Sequence, residues 1–372
     1  MFKIVHLGKY YPPDFGGMES VTETLAEGAQ LCESSVTVIC FDKGNVGSLT
    51  QRGVDVVRFP IQKMLNTQPL GWSYFWRGLL AARKADIVHL HAPNLLASLV
   101  SLFIGSTPKL LVHWHSDIVG KGLLGRLVQP LEYLMLKRAS VILATSQFYA
   151  DGSIYLQKFI TKVRVVPLGV PEPKTEMTIS PLGDRLNQFL QGRRLVLSVG
   201  RLTDYKGFSV LVDAVNYLPS DVAVIIAGDG ELMSKLAEQV RVSDISHKIF
   251  LAGRVTDEEL RSLYQNADVF CLPSIHRSEA FGVVLLEAMA YGLPVVATKI
   301  AGSGVPWVNA HDVSGLNVDV GLPKELASAC TQILDNPELR ARFSYGARDR
   351  YEANFTEKLF AEKVVKIYSE MF

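Results

Sequence analysis

Short β-branched runs alternate with helical periodicity twice over in this 372-residue chain, and that alternation constrains the fold more than any other feature. Residues 4–7, 36–39, 87–90, 110–113, 141–144 and 163–167 read as strands of a first half, with helical spacing across 19–31 and 127–137. The alternation restarts with strands at 195–199, 222–227, 249–251, 269–272 and 294–297. Helical patterns run between and beyond them at 207–216, 230–242, 257–265, 282–291 and 323–334. A helix between two strands carries the chain back to its starting edge, so successive strands pair in parallel and each half becomes an α/β unit. Residues 171–194, with Pro171, Pro173 and Pro181 among polar neighbours, read as the linker. The expected domains are 1–175 and 190–355. Residues 356–372 form a terminal amphipathic helix with Leu359, Phe360, Val364, Ile367 and Tyr368 on its apolar side. Two such sheets place a ligand at the carboxyl ends of their strands, in the cleft between them.

Charge excludes one broad class of function. Lys plus Arg number 38 and Asp plus Glu 37, so the whole chain is not an electrostatic nucleic-acid binder. Residues 1–170 carry seventeen basic and eleven acidic side chains, and the remainder is net acidic. The first half could face an anionic headgroup layer, or the asymmetry is uneven sampling. Cys32, Cys40, Cys271 and Cys330 form no CxxC pair, which fits a reducing cytoplasm and argues against structural zinc. Met1-Phe2-Lys3-Ile4-Val5 enters a strand-like run directly, so no signal peptide is expected. The longest apolar run, 95–105, is broken by Ser98 and Ser101 and falls short of the roughly 18–20 residues a span needs.

The second half carries the strongest chemical signal. Gly200-Arg201-Leu202-Thr203-Asp204-Tyr205-Lys206-Gly207 follows its first strand. Two cations beside a helix N-terminus suit a diphosphate; two surface cations in a polar loop are the other reading. Further on, Glu279-Ala280-Phe281-Gly282-Val283 leads into an apolar helix bearing Glu287, eight residues after Glu279. N–H groups near Phe281, Gly282 and Val283 could hold anionic or hydroxyl groups of a ligand. Glu287 on an apolar helix needs hydroxyl partners such as those of a ribose. Alternatively, Glu279 caps the helix and Glu287 faces solvent.

Taken together, an Arg, a Lys five residues on, and two Glu eight apart at loop-to-helix junctions resemble the retaining glycosyltransferases of the GT-B fold, in particular the family-four group of bacterial sugar transferases. The resemblance spans nearly the whole chain and includes Gly16-Gly17 in the opening loop Pro12–Glu19. It implies two Rossmann-like domains with a cleft between them and a C-terminal helix crossing back to the first domain. It also implies roles. Arg201 and Lys206 neutralise the donor diphosphate, Glu287 binds ribose, and Glu279 with the amides of Phe281, Gly282 and Val283 holds the transferred sugar. Arg254 lies where the base rests, and Gly16 and Gly17 bring backbone close to the sugar phosphate. His115 contacts the sugar near the reacting carbon and Asp117 binds acceptor or donor sugar. On this reading His115, Glu279, Arg201 and Lys206 are catalytic. Neither metal nor cofactor is required, because the cations and helix termini do the electrostatic work.

His89, His91, His113 and His115 offer a rival reading. A His-x-His pair in a strand puts both rings on one face, so two pairs could bind zinc or iron. Histidines at strand ends in a polar cleft are the simpler expectation, since no spaced acidic or Cys ligand completes a site.

The first half is expected to bind the acceptor. Residues 63–84 hold Trp72, Tyr74, Phe75, Trp76, Arg77, Arg83 and Lys84. Residues 121–138 mix Leu123, Leu124, Leu127, Val128 and Leu131 with Lys121, Arg126, Lys137 and Arg138. Either these segments touch the inner face of a cytoplasmic membrane, or they are core helices with snorkelling cations. The function implied is hexose transfer from a nucleotide diphosphate sugar, GDP-mannose ahead of UDP-sugars, to a lipid-linked or glycan acceptor in surface polysaccharide or O-antigen synthesis. A nucleotide-sugar epimerase of the same fold and a non-catalytic sugar-nucleotide binder are the alternatives.

Overall fold

The computed structural model describes residues 1–14, 16–42, 44, 46–65, 68–117, 122–173 and 183–372, with 122–127 described by backbone alone. The chain forms two compact units. One comprises Met1–Gly169 with Glu357–Phe372, the other Val170–Thr356.

The first unit contains strands β1 (Lys3–Leu7), β2 (Ser35–Asp42), β3 (Gly47–Gln51), β4 (Val54–Pro60), β5 (Lys63–Leu65), β6 (Gln68–Leu70), β7 (Ile87–Ala92), β8 (Lys109–Trp114), β9 (Val141–Ala144) and β10 (Val163–Val165). Eight of them form one sheet in the order β10-β9-β8-β7-β1-β2-β4-β3, parallel except for the β3–β4 pair; β5 and β6 form a separate hairpin. Its helices are α1 (Gly17–Leu31), α2 (Trp72–Ala82), α3 (Leu95–Ser101), α4 (Gly122–Arg138) and α5 (Gln147–Gly152). All six residues of β7 are buried, as a strand covered on both faces requires. Strands β3 to β6 were not read from the sequence, while α2 and α3 fall within the aromatic segment 63–84 and the apolar run 95–105.

The second unit contains β11 (Arg194–Val199), β12 (Val222–Ala227), β13 (Ile249–Gly253), β14 (Val269–Leu272), β15 (Val295–Thr298) and β16 (Gly315–Val318). The order is β13-β12-β11-β14-β15-β16, all parallel: the Rossmann arrangement, reversing direction between β11 and β14. Its helices are α6 (Asp184–Leu190), α7 (Phe208–Ala214), α8 (Met233–Val242), α9 (Asp257–Asn266), α10 (Val283–Ala290), α11 (Val305–Val308), α12 (Pro323–Leu334) and α13 (Pro337–Asn354). The expected linker is in part a helix, α6. Its residues 174–182, including Pro181, lie outside the described residues.

The terminal helix α14 (Glu357–Glu370) returns to the first unit. Phe360, Val364, Ile367 and Tyr368 are buried at spacings of one helical face, each worth roughly 1.5–3 kcal/mol. Helix α14 packs on α1, and Gly28 is what admits it: a Cβ there would lie 2.6 Å from Ala361 Cβ. Thr24 Oγ1 donates to Glu357 Oε1 at 2.8 Å across the same contact. Helix α2 covers the opposite side of the sheet, where Gly78 faces Leu7, the neighbour of His6 on β1. Alternation along β1 therefore sends His6 to the α14 side. Among the described residues, no helix is long and apolar enough to cross a membrane.

Candidate donor and sugar site

In the second unit the strand order reverses between β11 and β14, and the loops at their carboxyl ends meet. Gly207, at φ +67°, permits the contact, since a Cβ would sit 2.1 Å from the Pro273 carbonyl oxygen. That approach brings Lys206 Nζ to 2.6 Å from Glu279 Oε2, with side chains 11% and 9% exposed. Ser274 Oγ donates to the same carboxylate oxygen at 3.1 Å. Burial pulls the Lys206 ammonium toward neutrality, but Glu279 and Tyr205 together outweigh it and the pKa ends above its ordinary value. Arg201 is exposed in the same loop, and its charge opposes that of Lys206.

Helix α10 begins at Val283 after Gly282, which adopts a left-handed φ of +81° and offers no side-chain cap. The N–H groups of Gly282 and Val283 thus stand at the positive end of the helix without an intrahelical carbonyl. Glu279 is not their cap; it is the partner of Lys206. Phe281 is 2% exposed and packs on Trp307 and Phe355, so it can meet a ligand only through its backbone. Glu287 lies partly buried on α10 and accepts a 2.7 Å hydrogen bond from the Tyr264 hydroxyl of α9. Burial raises its pKa, against the pull of Tyr264 and Lys206. Arg254 is exposed directly after β13. Sequence reasoning missed Ser274 and Tyr264, because neither belongs to a motif and only the packing of loop and helix supplies their partners.

In the first unit the order reverses between β1 and β7. The Gly8 carbonyl beyond β1 accepts from Tyr74 Oη and Asn94 Nδ2, both at 2.9 Å, which pins this turn. Gly16 precedes α1, and a Cβ there would lie 2.2 Å from Glu19 Oε2; Gly17 is the first helical residue. Phe15 lies outside the described residues. Just past β8, the His115 N–H donates to the Ala92 carbonyl at 3.0 Å. Asp117 is buried, and its Oδ1 accepts from Trp114 Nε1 at 2.8 Å and Ser153 Oγ at 2.7 Å.

The histidines form a larger group than the sequence revealed. Register places His6 beside His89 and His91 beside His113. His6, His89, His91 and His113 are buried beneath α14 rather than standing in a polar cleft, and Tyr368 Oη lies 2.5 Å from His89 Nδ1. Two sets of three, His6/His89/His91 and His91/His113/His115, have ring nitrogens within 4.8 Å of one another. Their rings, however, lie nearly parallel: 6° between His89 and His91, 8° between His113 and His115. An imidazole lone pair lies in its ring plane, so stacked rings aim side by side and not at one point. The geometry disfavours an ion shared by either set. Burial drives all five pKa values down, His6 and His115 to about 3. The alternation His-x-His was legible; His6 was not, since its partners come from register alone.

Two Rossmann-like sheets, a cation–carboxylate pair at the reversal point of the second, and a terminal helix returned to the first define a GT-B nucleotide-sugar transferase. Comparison with known proteins agrees. A family described as "Glycosyl transferases group 1" matches residues 185–350, and one described as "Glycosyl transferase 4-like domain" matches 16–169. D-rhamnosyltransferase WbpZ of Pseudomonas aeruginosa is 31% identical over 369 residues, covering 95% of this chain and 92% of its own. O-antigen chain mannosyltransferase C of Escherichia coli is 27% identical, covering 99% and 98%. The structure of Anabaena HepE in complex with UDP-glucose superposes with a TM-score of 0.80 at 21% identity over the full length of both chains. The chain belongs to the group 1 glycosyltransferases and is a retaining glycosyltransferase that takes its sugar from a nucleotide sugar.

Proposed function

We propose that the protein transfers a hexose from a nucleoside diphosphate sugar, GDP-mannose ahead of UDP-sugars, to a lipid-linked or glycan acceptor during O-antigen or related surface-polysaccharide synthesis. The observation that carries the donor site is the buried Lys206–Glu279 pair beside the uncapped start of α10. A diphosphate entering there meets the Lys206 ammonium, the exposed Arg201 guanidinium and the positive end of a helix. Their charge offsets the negative charge that grows on the leaving diphosphate as the sugar–oxygen bond breaks. The Glu279 carboxylate accepts from hydroxyls of the transferred sugar. Glu287, steadied by Tyr264, accepts from the ribose. Arg254 borders the base, and Gly16 and Gly17 admit backbone to the sugar phosphate. His115 and Asp117 serve the sugar and acceptor at the edge of the first sheet. The leaving diphosphate takes the acceptor proton on the same face, so no protein base is required. The relatives named for rhamnose and mannose transfer support a mannose-like hexose as the transferred sugar.

The acceptor reading draws on α2. Tyr74 and Phe75 of the expected membrane segment are core residues, but Trp72, Trp76 and Leu80, four apart, are 69%, 58% and 52% exposed. Phe103, 50% exposed, joins them through Phe75, with Arg77, Arg83 and Lys84 exposed around the patch. Such a face suits an anionic headgroup layer at the inner side of a cytoplasmic membrane. The side chains of Lys121, Leu123, Leu124, Arg126 and Leu127 lie outside the described residues.

Calorimetric titration with GDP, UDP and ADP tests the donor site. One nucleotide is expected to bind without added metal, and Lys206→Ala to weaken it at least 10-fold. Unchanged affinity in Lys206→Ala would remove the phosphate site. Flotation with anionic liposomes at low salt tests the patch: absence of co-flotation, or equal co-flotation by Trp72→Ser/Trp76→Ser, rejects it.

A further inference from the structure

The four buried histidines and the partly exposed His115 are arranged in two layers. His6, His91 and His115 lie edge to edge: His6 Nδ1 is 3.1 Å from His91 Nε2, and His91 Nδ1 is 3.1 Å from His115 Nε2. His89 and His113 stack over this row, 4.5 Å from His91 and 4.2 Å from His115 respectively. Each contact in the row joins an Nδ1 to an Nε2. A neutral imidazole holds one proton, so the row can run in only two directions. Either every ring carries its proton on Nδ1, or every ring carries it on Nε2.

The far end decides between them. His6 Nε2 is buried and, among the described residues, has no hydrogen-bond partner. Protons on Nε2 would leave an N–H stranded there, and a buried donor without an acceptor is rarer and more costly than a bare lone pair. Protons on Nδ1 leave only the lone pair. The rings stay neutral because nothing in the row supplies a counter-charge against burial.

We infer that His6 and His91 act as positioning residues that lock His115 in its Nδ1–H tautomer. His6 Nδ1–H donates to His91 Nε2, and His91 Nδ1–H donates to His115 Nε2. The proton of His115 is thereby confined to Nδ1. His115 is the one partly exposed member of the five, immediately beyond the carboxyl end of β8. There it presents a hydrogen-bond donor to a sugar hydroxyl and not a basic lone pair. The last step rests on the proposed sugar site; the tautomer does not. The row also ends blindly at His6, so it orients His115 without conducting a proton out of the site.

The test is long-range proton–nitrogen NMR on the full-length protein with labelled histidine, near pH 7.5 and without ligand. His115 in the wild type is expected to be protonated on Nδ1 and bare on Nε2. His91→Phe, which keeps an aromatic ring but removes the donor, is expected to lower the Nδ1–H preference about 5-fold, the worth of one hydrogen bond. His91→Asn, whose amide N–H takes the place of Nδ1–H, is expected to restore it. Should His91→Phe fail to fold, His6→Phe interrupts the row one step earlier and His6→Asn repairs it. Protonation of wild-type His115 on Nε2, an even mixture, or a tautomer indifferent to loss of the donor overturns the inference. A locked tautomer in a protein whose His115→Ala variant transfers sugar at the wild-type rate would leave the lock standing and remove His115 from the sugar site.

Discussion

Acid should dismantle the N-terminal unit while the protein is still far from ordinary acid denaturation. His6, His89, His91 and His113 are at most 1% exposed, and burial holds each well below the ordinary 6.5, His6 at about 3. In the unfolded chain each returns to about 6.5. A base depressed on folding binds fewer protons folded than unfolded, so stability is lost as pH falls below 6.5 and continues to fall toward the folded pKa. Relative to pH 8, each histidine costs under roughly half a kcal/mol at pH 6.5 and about 1 kcal/mol between pH 6.0 and 5.5. The four together cost about 2 kcal/mol at pH 6.5 and about 3–6 kcal/mol between pH 6.0 and 5.5. A typical domain has about 5–15 kcal/mol in all, so unfolding is expected between roughly pH 6 and 5. The assay is proton uptake on urea unfolding at pH 6.0, followed with a pH indicator in weak buffer. About three protons should be taken up by these four groups, and His89→Gln/His113→Gln should take up about 1.5 fewer. Uptake near zero in the wild type would mean that these imidazoles are already charged in the fold, and the reasoning fails.

Three further outcomes follow from the packing. Lys206→Met leaves the Glu279 carboxylate buried without its counter-charge and should cost about 3–5 kcal/mol, whereas Lys206→Met/Glu279→Leu should regain most of it without activity; equal melting of single variant and wild type would show that the pair is solvated. Gly28→Val drives a side chain into Ala361 where a Cβ already falls at 2.6 Å, so a loss of about 1–3 kcal/mol in urea melts is expected, and an unchanged midpoint would refute the close approach of α1 and α14. Tyr264→Phe removes the hydroxyl that orients Glu287, so donor KM should rise about 5-fold with kcat nearly unchanged; a fall in kcat alone would place Tyr264 elsewhere in the reaction.

How much of this was legible beforehand depended on whether a signal was local. The alternation of strands and helices is a period written into neighbouring residues, so β12, β14 and α12 were readable to the residue. The Glu279/Glu287 spacing and the Arg201–Lys206 loop were readable for the same reason. The Proline-rich stretch misled because composition favours a loop, yet Leu186 and Leu190 bury themselves and draw 184–190 into a helix. Trp72 and Tyr74 show the same limit: both sit on one apolar helix, and only the sheet beneath decides that Tyr74 is core and Trp72 is exposed.

The sequence by itself determined the class of fold, the alternation of most of its strands and helices, and the charged residues of the candidate donor site. Tertiary structure decided the partners. Lys206 meets Glu279 because Gly207 lets two loops touch, Glu287 meets Tyr264 because α9 packs beside α10, and His6 joins the row because β1 lies next to β7 in register. Each of those contacts joins residues distant in the chain, and a local pattern carries no information about which distant surface will close over it.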